Sequence, residues 1–190
     1  FLADSSKIDL ISRWMDTLST IKCGLIRYNR IKLDEKFFQK LDDKINDING
    51  EKIGDEKCIG WFGNIRGVNR FESCDTLLVI GGHRLPDYAI FNLSQLIFRQ
   101  DIFDTKTQED AEDYQEYLKQ EMMEKVFRMK DGNHQSVPLE EYKTPECDLT
   151  SNHFDKAETY QATHRLRLIH GNDNKQVFIF SNTPIDISVD

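Results

Sequence analysis

The stretch Thr76-Leu77-Leu78-Val79-Ile80, closed by Gly81-Gly82, constrains the fold more than any other. A strand with one wet face alternates apolar and polar residues. Four consecutive large aliphatic residues leave no polar face. This strand is therefore predicted to be buried on both sides, as in the middle of a parallel sheet. Val177-Phe178-Ile179-Phe180 repeats the pattern near the end of the chain, and Cys23 to Ile31 and Cys58 to Phe62 read as two more strands.

Helical spacing fills the intervals. Ile8, Ile11, Trp14, Met15 and Leu18 predict a helix from Lys7 to Leu18, capped by Ser5 or Ser6. Phe37, Phe38, Leu41, Ile45 and Ile48 predict an amphipathic helix from Asp34 to Ile48, stopped by Asn49-Gly50. Pro86 and Asp87 open a third helix that carries Ile90, Leu93, Leu96, Ile97 and Phe98. Thr107 to Lys130 reads as a long, charged helix with Tyr114, Tyr117, Leu118, Met122, Val126 and Met129 on one face. Asp131 to Asn152 holds two of the four prolines and few apolar residues, and reads as a loop or insertion. Phe154 to Ile169 is predicted helical, and Gly171 to Asn174 turns the chain into a last strand, Gln176 to Phe180.

Buried-type strands with helices between them imply an α/β layer fold with a mainly parallel sheet. We expect one domain over residues 1–190 with a helical or loop insertion at about 101–152. Ligands of such sheets sit beyond the carboxyl ends of the strands. Gly63 to Ser73, Gly81 to Pro86 and Ser181 to Pro184 follow strands and are the candidate ligand loops.

Composition removes several functions. Lys and Arg number 25 against 33 Asp and Glu, a net charge of −8. That excludes a broad basic coat for nucleic acid and leaves room for a local patch. No apolar run approaches the roughly 20 residues that span a bilayer, so no membrane partner is expected and the protein is expected to be cytoplasmic. The four cysteines are far apart without a C-x-x-C pair, which favours reduced thiols. Cys147 and His153 lack a second ligand pair, so no metal site is expected. The chain opens at Phe1-Leu2-Ala3 without Met, which suggests a piece of a longer protein.

Two stretches carry chemistry. Gly63-Asn64-Ile65-Arg66-Gly67-Val68-Asn69-Arg70-Phe71 combines two glycines, two guanidinium forks and an amide, a set suited to phosphate. The bland alternative is a polar connection between strands. Tyr160 to His170 places Gln161 and Arg165 one helical turn apart on one face, with Arg167 elsewhere. A glutamine and an arginine so placed suit a γ-phosphate and its developing charge, the alternative being a solvated basic face. The sequence contains no G-x-x-x-x-G-K-[ST] loop and no G-x-G-x-x-G after a strand.

Together these stretches resemble motifs V and VI of the second RecA-like lobe of superfamily 2 helicases. More narrowly, Gly63-x-x-Arg66-Gly67-x-Asn69-x-Phe71 followed by Cys74-Asp75-Thr76-Leu77-Leu78-Val79-Ile80-Gly81 resembles the C-terminal part of helicase-like proteins of phages and plasmids. Tyr160-Gln161 through Arg165-x-Arg167-x-x-His170, then Val177 to Asp186, fits the same group, and Leu2 to Ser6 resembles a variant of motif III. Two features depart from motif VI: His164 stands in place of Gly, and Arg167 follows Arg165 by two residues rather than three.

The resemblance implies a RecA-like fold without its own phosphate loop. It implies a chain that completes an ATP site, ATP and Mg2+ being held only with an N-terminal ATPase lobe. Arg165 would then meet the transition state, with Arg167 the other candidate finger. Gln161 would contact the γ-phosphate. Gly63, Arg66, Gly67, Asn69, Arg70 and Arg84 would serve nucleotide or nucleic acid, with weak binding of DNA or RNA. Arg165 is expected at the carboxyl-end face, beside the Gly63 to Ser73 loop. The competing expectation is a non-catalytic RecA-like scaffold, with a protein partner at the charged 107–130 segment.

Overall fold

The computed structural model describes residues 10, 11, 13–17, 22–27, 35–50, 58–98, 118–129, 131–166 and 174–181. The chain divides into two compact units, Phe1–His83 with Ala157–Thr183, and Arg84–Lys156 with Pro184–Asp190.

The first unit is built on β1 (Cys23–Arg27), α1 (Glu35–Asn49), β2 (Ile59–Trp61) and β3 (Thr76–Ile80). The second unit contributes α2 (Asp87–Phe98), β4 (Gln120–Arg128) and β5 (His134–Tyr142). α3 (Pro145–His164) begins in the second unit and ends in the first, and β6 (Gln176–Phe180) closes the order. Strand order is β2-β1-β3-β6, and every pairing is parallel. The chain is thus an α/β protein with a parallel four-stranded sheet flanked by helices.

Alternation along the strands builds two cores. Leu25, Ile59, Leu78 and Ile80 face one way, toward Leu41 and Ile45 of α1 and the helical residues Ile11 and Met15. Trp14 stands edge-on to Phe178 and Phe180, at 4.6 and 5.4 Å between ring centres. Ile26, Leu77 and Val79 face the other way, toward Ala162 and Leu166 and toward Phe62, Ile65, Phe71 and Cys74 of the β2–β3 connection. No helix lies in that connection, so an irregular loop supplies part of the layer that a helix usually provides. All five residues of β3 are buried, as the unbroken apolar run requires.

α1 is tied back to β1 at its end. Asn49 accepts from the Cys23 amide at 2.8 Å and donates to the Cys23 carbonyl at 2.9 Å. One asparagine thus satisfies strand groups beside the helix stop.

The second unit differs most from the sequence reading. Where a helix is predicted through Lys130, residues 120–128 form β4, and the expected loop contains β5, its antiparallel partner. The part of that predicted helix before Leu118 lies outside the described residues. Asp131-Gly132-Asn133 makes the hairpin turn: Gly132 has φ 86°, and the Met129 amide donates to the Asn133 carbonyl at 2.8 Å. Met122 and Val126, four apart, mimic a helical face, but the Asp-Gly turn decides the pairing. Pro138 sits within β5 opposite Glu124, which an edge strand tolerates. α3 starts at Pro145, nine residues before the predicted Phe154. The core here is Ile90, Phe91, Tyr142 and Cys147, with Ser94 joining α2 to Thr150 of α3 at 2.9 Å.

Candidate functional site

The Gly63 to Ser73 loop leaves the carboxyl end of β2 and returns to the amino end of β3 across one face of the sheet. Its ends are pinned: the Phe62 amide donates to the Arg27 carbonyl at 3.1 Å, and the Asp75 amide to the Lys22 carbonyl at 3.0 Å. Ile65 and Phe71 are fully buried and hold it down. Gly63 and Gly67 have φ 82° and 71°, a region that L side chains avoid, so the glycines are required by the path. A Cβ on Gly63 would lie 3.9 Å from His83 Cε1, which puts the start of the loop beside the end of β3.

Arg66 donates through Nε at 3.2 Å and through Nη2 to Oε1 of Glu158 on α3. The Glu158 side chain is 2% exposed, while that of Arg66 is 66% exposed. A carboxylate that deep needs a cation, and the loop supplies it. Oε2 of Glu158 is buried without a hydrogen-bond partner. Three and four residues further on, Gln161 and Ala162 share the same helix face, and Arg165 follows directly after the last helical residue, His164. Ala162 is buried against the sheet, Gln161 and Arg165 are half-buried, and Nε of Arg165 is buried and donates to nothing.

The two stretches singled out in the sequence therefore meet. Arg66 touches α3 one turn before Gln161, and Arg165 stands in the turn that follows His164 at the end of the helix. Their relation corrects one expectation: Arg165 is not at the carboxyl ends of the strands. The carbonyl of its neighbour Leu166 accepts from Lys175 Nζ at 2.9 Å. Lys175, which also holds the Glu72 carbonyl at 2.8 Å, immediately precedes β6. A helix that feeds a parallel strand must run back along the sheet, so its last turn arrives at the amino ends.

Arg70 donates to the Ile59 carbonyl at 2.8 Å, and Asn69 is exposed. Arg84 belongs to the second unit, where it faces Glu140 at 3.4 Å and the Tyr142 ring at 5.8 Å. Arg167 lies outside the described residues, as does the Leu2 to Ser6 segment. Glu158 is the residue that sequence reasoning missed. Its only signal is a charge four residues before a small apolar residue on the face that must pack.

The four cysteines are buried. Burial pushes the Cys23 thiol up to about 12, and a hydrogen bond with Cys58 followed by burial raises Cys74. Neither is a nucleophile at neutral pH. Among the described residues no group of three or more His, Cys, Asp or Glu is arranged to hold a metal ion, and no helix is long and apolar enough to cross a membrane. No family model, curated protein or solved structure matches the chain.

Proposed function

We propose that the chain is the C-terminal RecA-like lobe of an ATP-dependent nucleic-acid helicase or translocase. The Arg66–Glu158 pair carries this reading, because it joins the glycine-rich loop to the helix that bears Gln161 and leads into Arg165. In this scheme ATP and Mg2+ are held by a preceding lobe. Arg165 reaches across to charge that develops on the γ-phosphate in the transition state. Gln161 contacts the same phosphate, and Arg66, Asn69 and Arg70 with the loop glycines 63 and 67 relate nucleotide to DNA or RNA.

The amino-end position of Arg165 is not the one this reading implies, and it counts toward the scaffold alternative below. Steady-state ATP hydrolysis by the full-length protein tests the reading. Arg165→Ala should lower turnover roughly 10³-fold while ATP binding persists, as for other arginine fingers. Full turnover in that variant, or vigorous hydrolysis by residues 1–190 alone, would reject it.

A non-catalytic scaffold is the second reading. It is favoured by the hairpin, where Met122, Met123 and Val126 are 60%, 49% and 65% exposed. Apolar side chains so displayed suit a protein partner.

A further inference from the structure

Independently of the helicase reading, we infer that Cys58 and Cys74 are a dithiol pair that a hydroperoxide closes to a disulfide, making β2 and the Gly63 to Ser73 loop one covalent ring. The pair depends on a missing side chain. Gly24 of β1 leaves a gap on the sheet face that the loop covers, and Cys74 Sγ stands 3.4 Å from where a Cβ on Gly24 would be. Cys58 lies beside the same glycine, since its carbonyl accepts from the Leu25 amide at 2.8 Å. Both cysteines belong to the core on that face, and their thiols are hydrogen-bonded to one another. Cys23 belongs to the core on the opposite face, and Cys147 to the other unit. A disulfide needs its sulfurs brought together without bending the strands. Cys58 precedes β2 and Cys74 precedes β3, so the approach falls on the turn from Phe71 to Cys74, where the Cys74 amide donates to the Phe71 carbonyl at 3.0 Å.

Burial decides when the pair reacts. Both cysteines are 1% exposed, and thiols held in an apolar core stay protonated and inert. Local lifting of the turn, whose Glu72 and Ser73 are exposed, gives Cys74 to solvent. The Cys74 thiolate then attacks one peroxide oxygen, the O–O bond breaks, and a sulfenic acid forms as the alcohol (or water, from hydrogen peroxide) leaves. When the turn reseats, the Cys58 sulfur attacks the sulfur of that sulfenic acid. The S–S bond forms, the S–O bond breaks, and water leaves with the Cys58 proton. Two electrons pass from the two thiols to the hydroperoxide, and the products are one disulfide, one alcohol and one water. The ring then removes open conformations of the loop that carries Arg66.

The full-length protein is treated with hydrogen peroxide at neutral pH, denatured, alkylated and digested without reduction. The peptide holding Cys58 should be joined to the one holding Cys74, while Cys23 and Cys147 take the alkylating label. Amide exchange across residues 63–73 should slow about tenfold on oxidation and recover with dithiothreitol. Gly67→Ala strains a φ of 71° at a place where the added Cβ meets nothing, so it should lift the loop more often and speed the joining several-fold. The joined peptides come from the wild-type protein, so the outcome does not depend on a cysteine variant that folds. Sulfinic acid on either cysteine without a joined peptide, a bridge to Cys23 instead, or loop exchange unchanged by oxidation overturns the inference.

Discussion

The ring of Phe71 occupies the space above Gly24, where a Cβ would lie 2.9 Å from Phe71 Cδ1. Gly60 on the adjoining strand meets the same ring, 2.9 Å from Cζ. The loop is thus seated on strands that lack side chains at the seat. Gly24→Ala should destabilise the protein by roughly 1–3 kcal/mol, the usual range for overpacking. Leu77 Cδ1 at 3.1 Å closes the way out. Denaturant unfolding gives the value, and a change below about 0.5 kcal/mol would mean that the ring is not fixed where described.

Arg66 and Glu158 make a second stability prediction. Removing Arg66 strands a buried carboxylate, which costs about 3–5 kcal/mol in a fully buried pair. The exposure of Arg66 lets water relieve part of this, so Arg66→Ala should cost roughly 2 kcal/mol. Arg66→Ala with Glu158→Gln should recover most of it, because no charge is left to desolvate. Additive losses in the double variant would exclude the pairing.

How much was legible depends on where each element draws its stability. β3 and β6 were readable residue for residue: β3, buried on both faces, must be apolar throughout, and β6, the edge strand beside it, carries four half-buried apolar residues in a row. α1 was readable because Leu41 and Ile45 repeat at helical spacing. β4 was not, since Met122 and Val126 satisfy a helical period and the deciding signal lies outside the strand, in the φ that Gly132 adopts. The loop was visible as chemistry, from Gly63, Arg66 and Gly67. Its partner was not, since Glu158 becomes meaningful only when a parallel crossover lays α3 beside a loop 92 residues earlier. The same crossover puts Arg165 at the amino ends, a fact of topology that residue spacing does not encode.

Asp155 sets a pH dependence. Burial pushes its carboxyl up to about 7, with Arg84 pulling the other way, and burial also raises Asp148. The folded form therefore keeps a proton that the unfolded chain releases above about pH 4. Between about pH 4 and 7 the unfolded state binds fewer protons, so this contribution is present at low pH and is lost as pH rises through 7. Asp155→Asn should flatten that slope and raise stability at pH 8, by on the order of 2 kcal/mol after solvent screening. Urea unfolding of both proteins from pH 4.5 to 8 checks it. A difference between them that does not change with pH would refute the assignment.

Nucleic-acid binding by this chain should be weak and steeply reduced by salt. The net charge of −8 repels phosphate at long range, and the basic side chains of interest are already engaged. Arg66 neutralises Glu158, Arg70 donates to the Ile59 carbonyl, and Arg84 faces Glu140. The exposed edge of Arg66 and one or two neighbours leave about two phosphates to neutralise. Each contributes a slope near −0.7 in log K against log salt for a single strand. Affinity for a single-stranded oligonucleotide should then fall roughly sevenfold between 50 and 200 mM salt, and Arg66→Ala should lower the slope by about one phosphate. Fluorescence anisotropy titrations at four salt concentrations give both numbers. A slope steeper than about −3 would require a basic surface other than this loop, and binding indifferent to salt would remove phosphate contact from the account altogether.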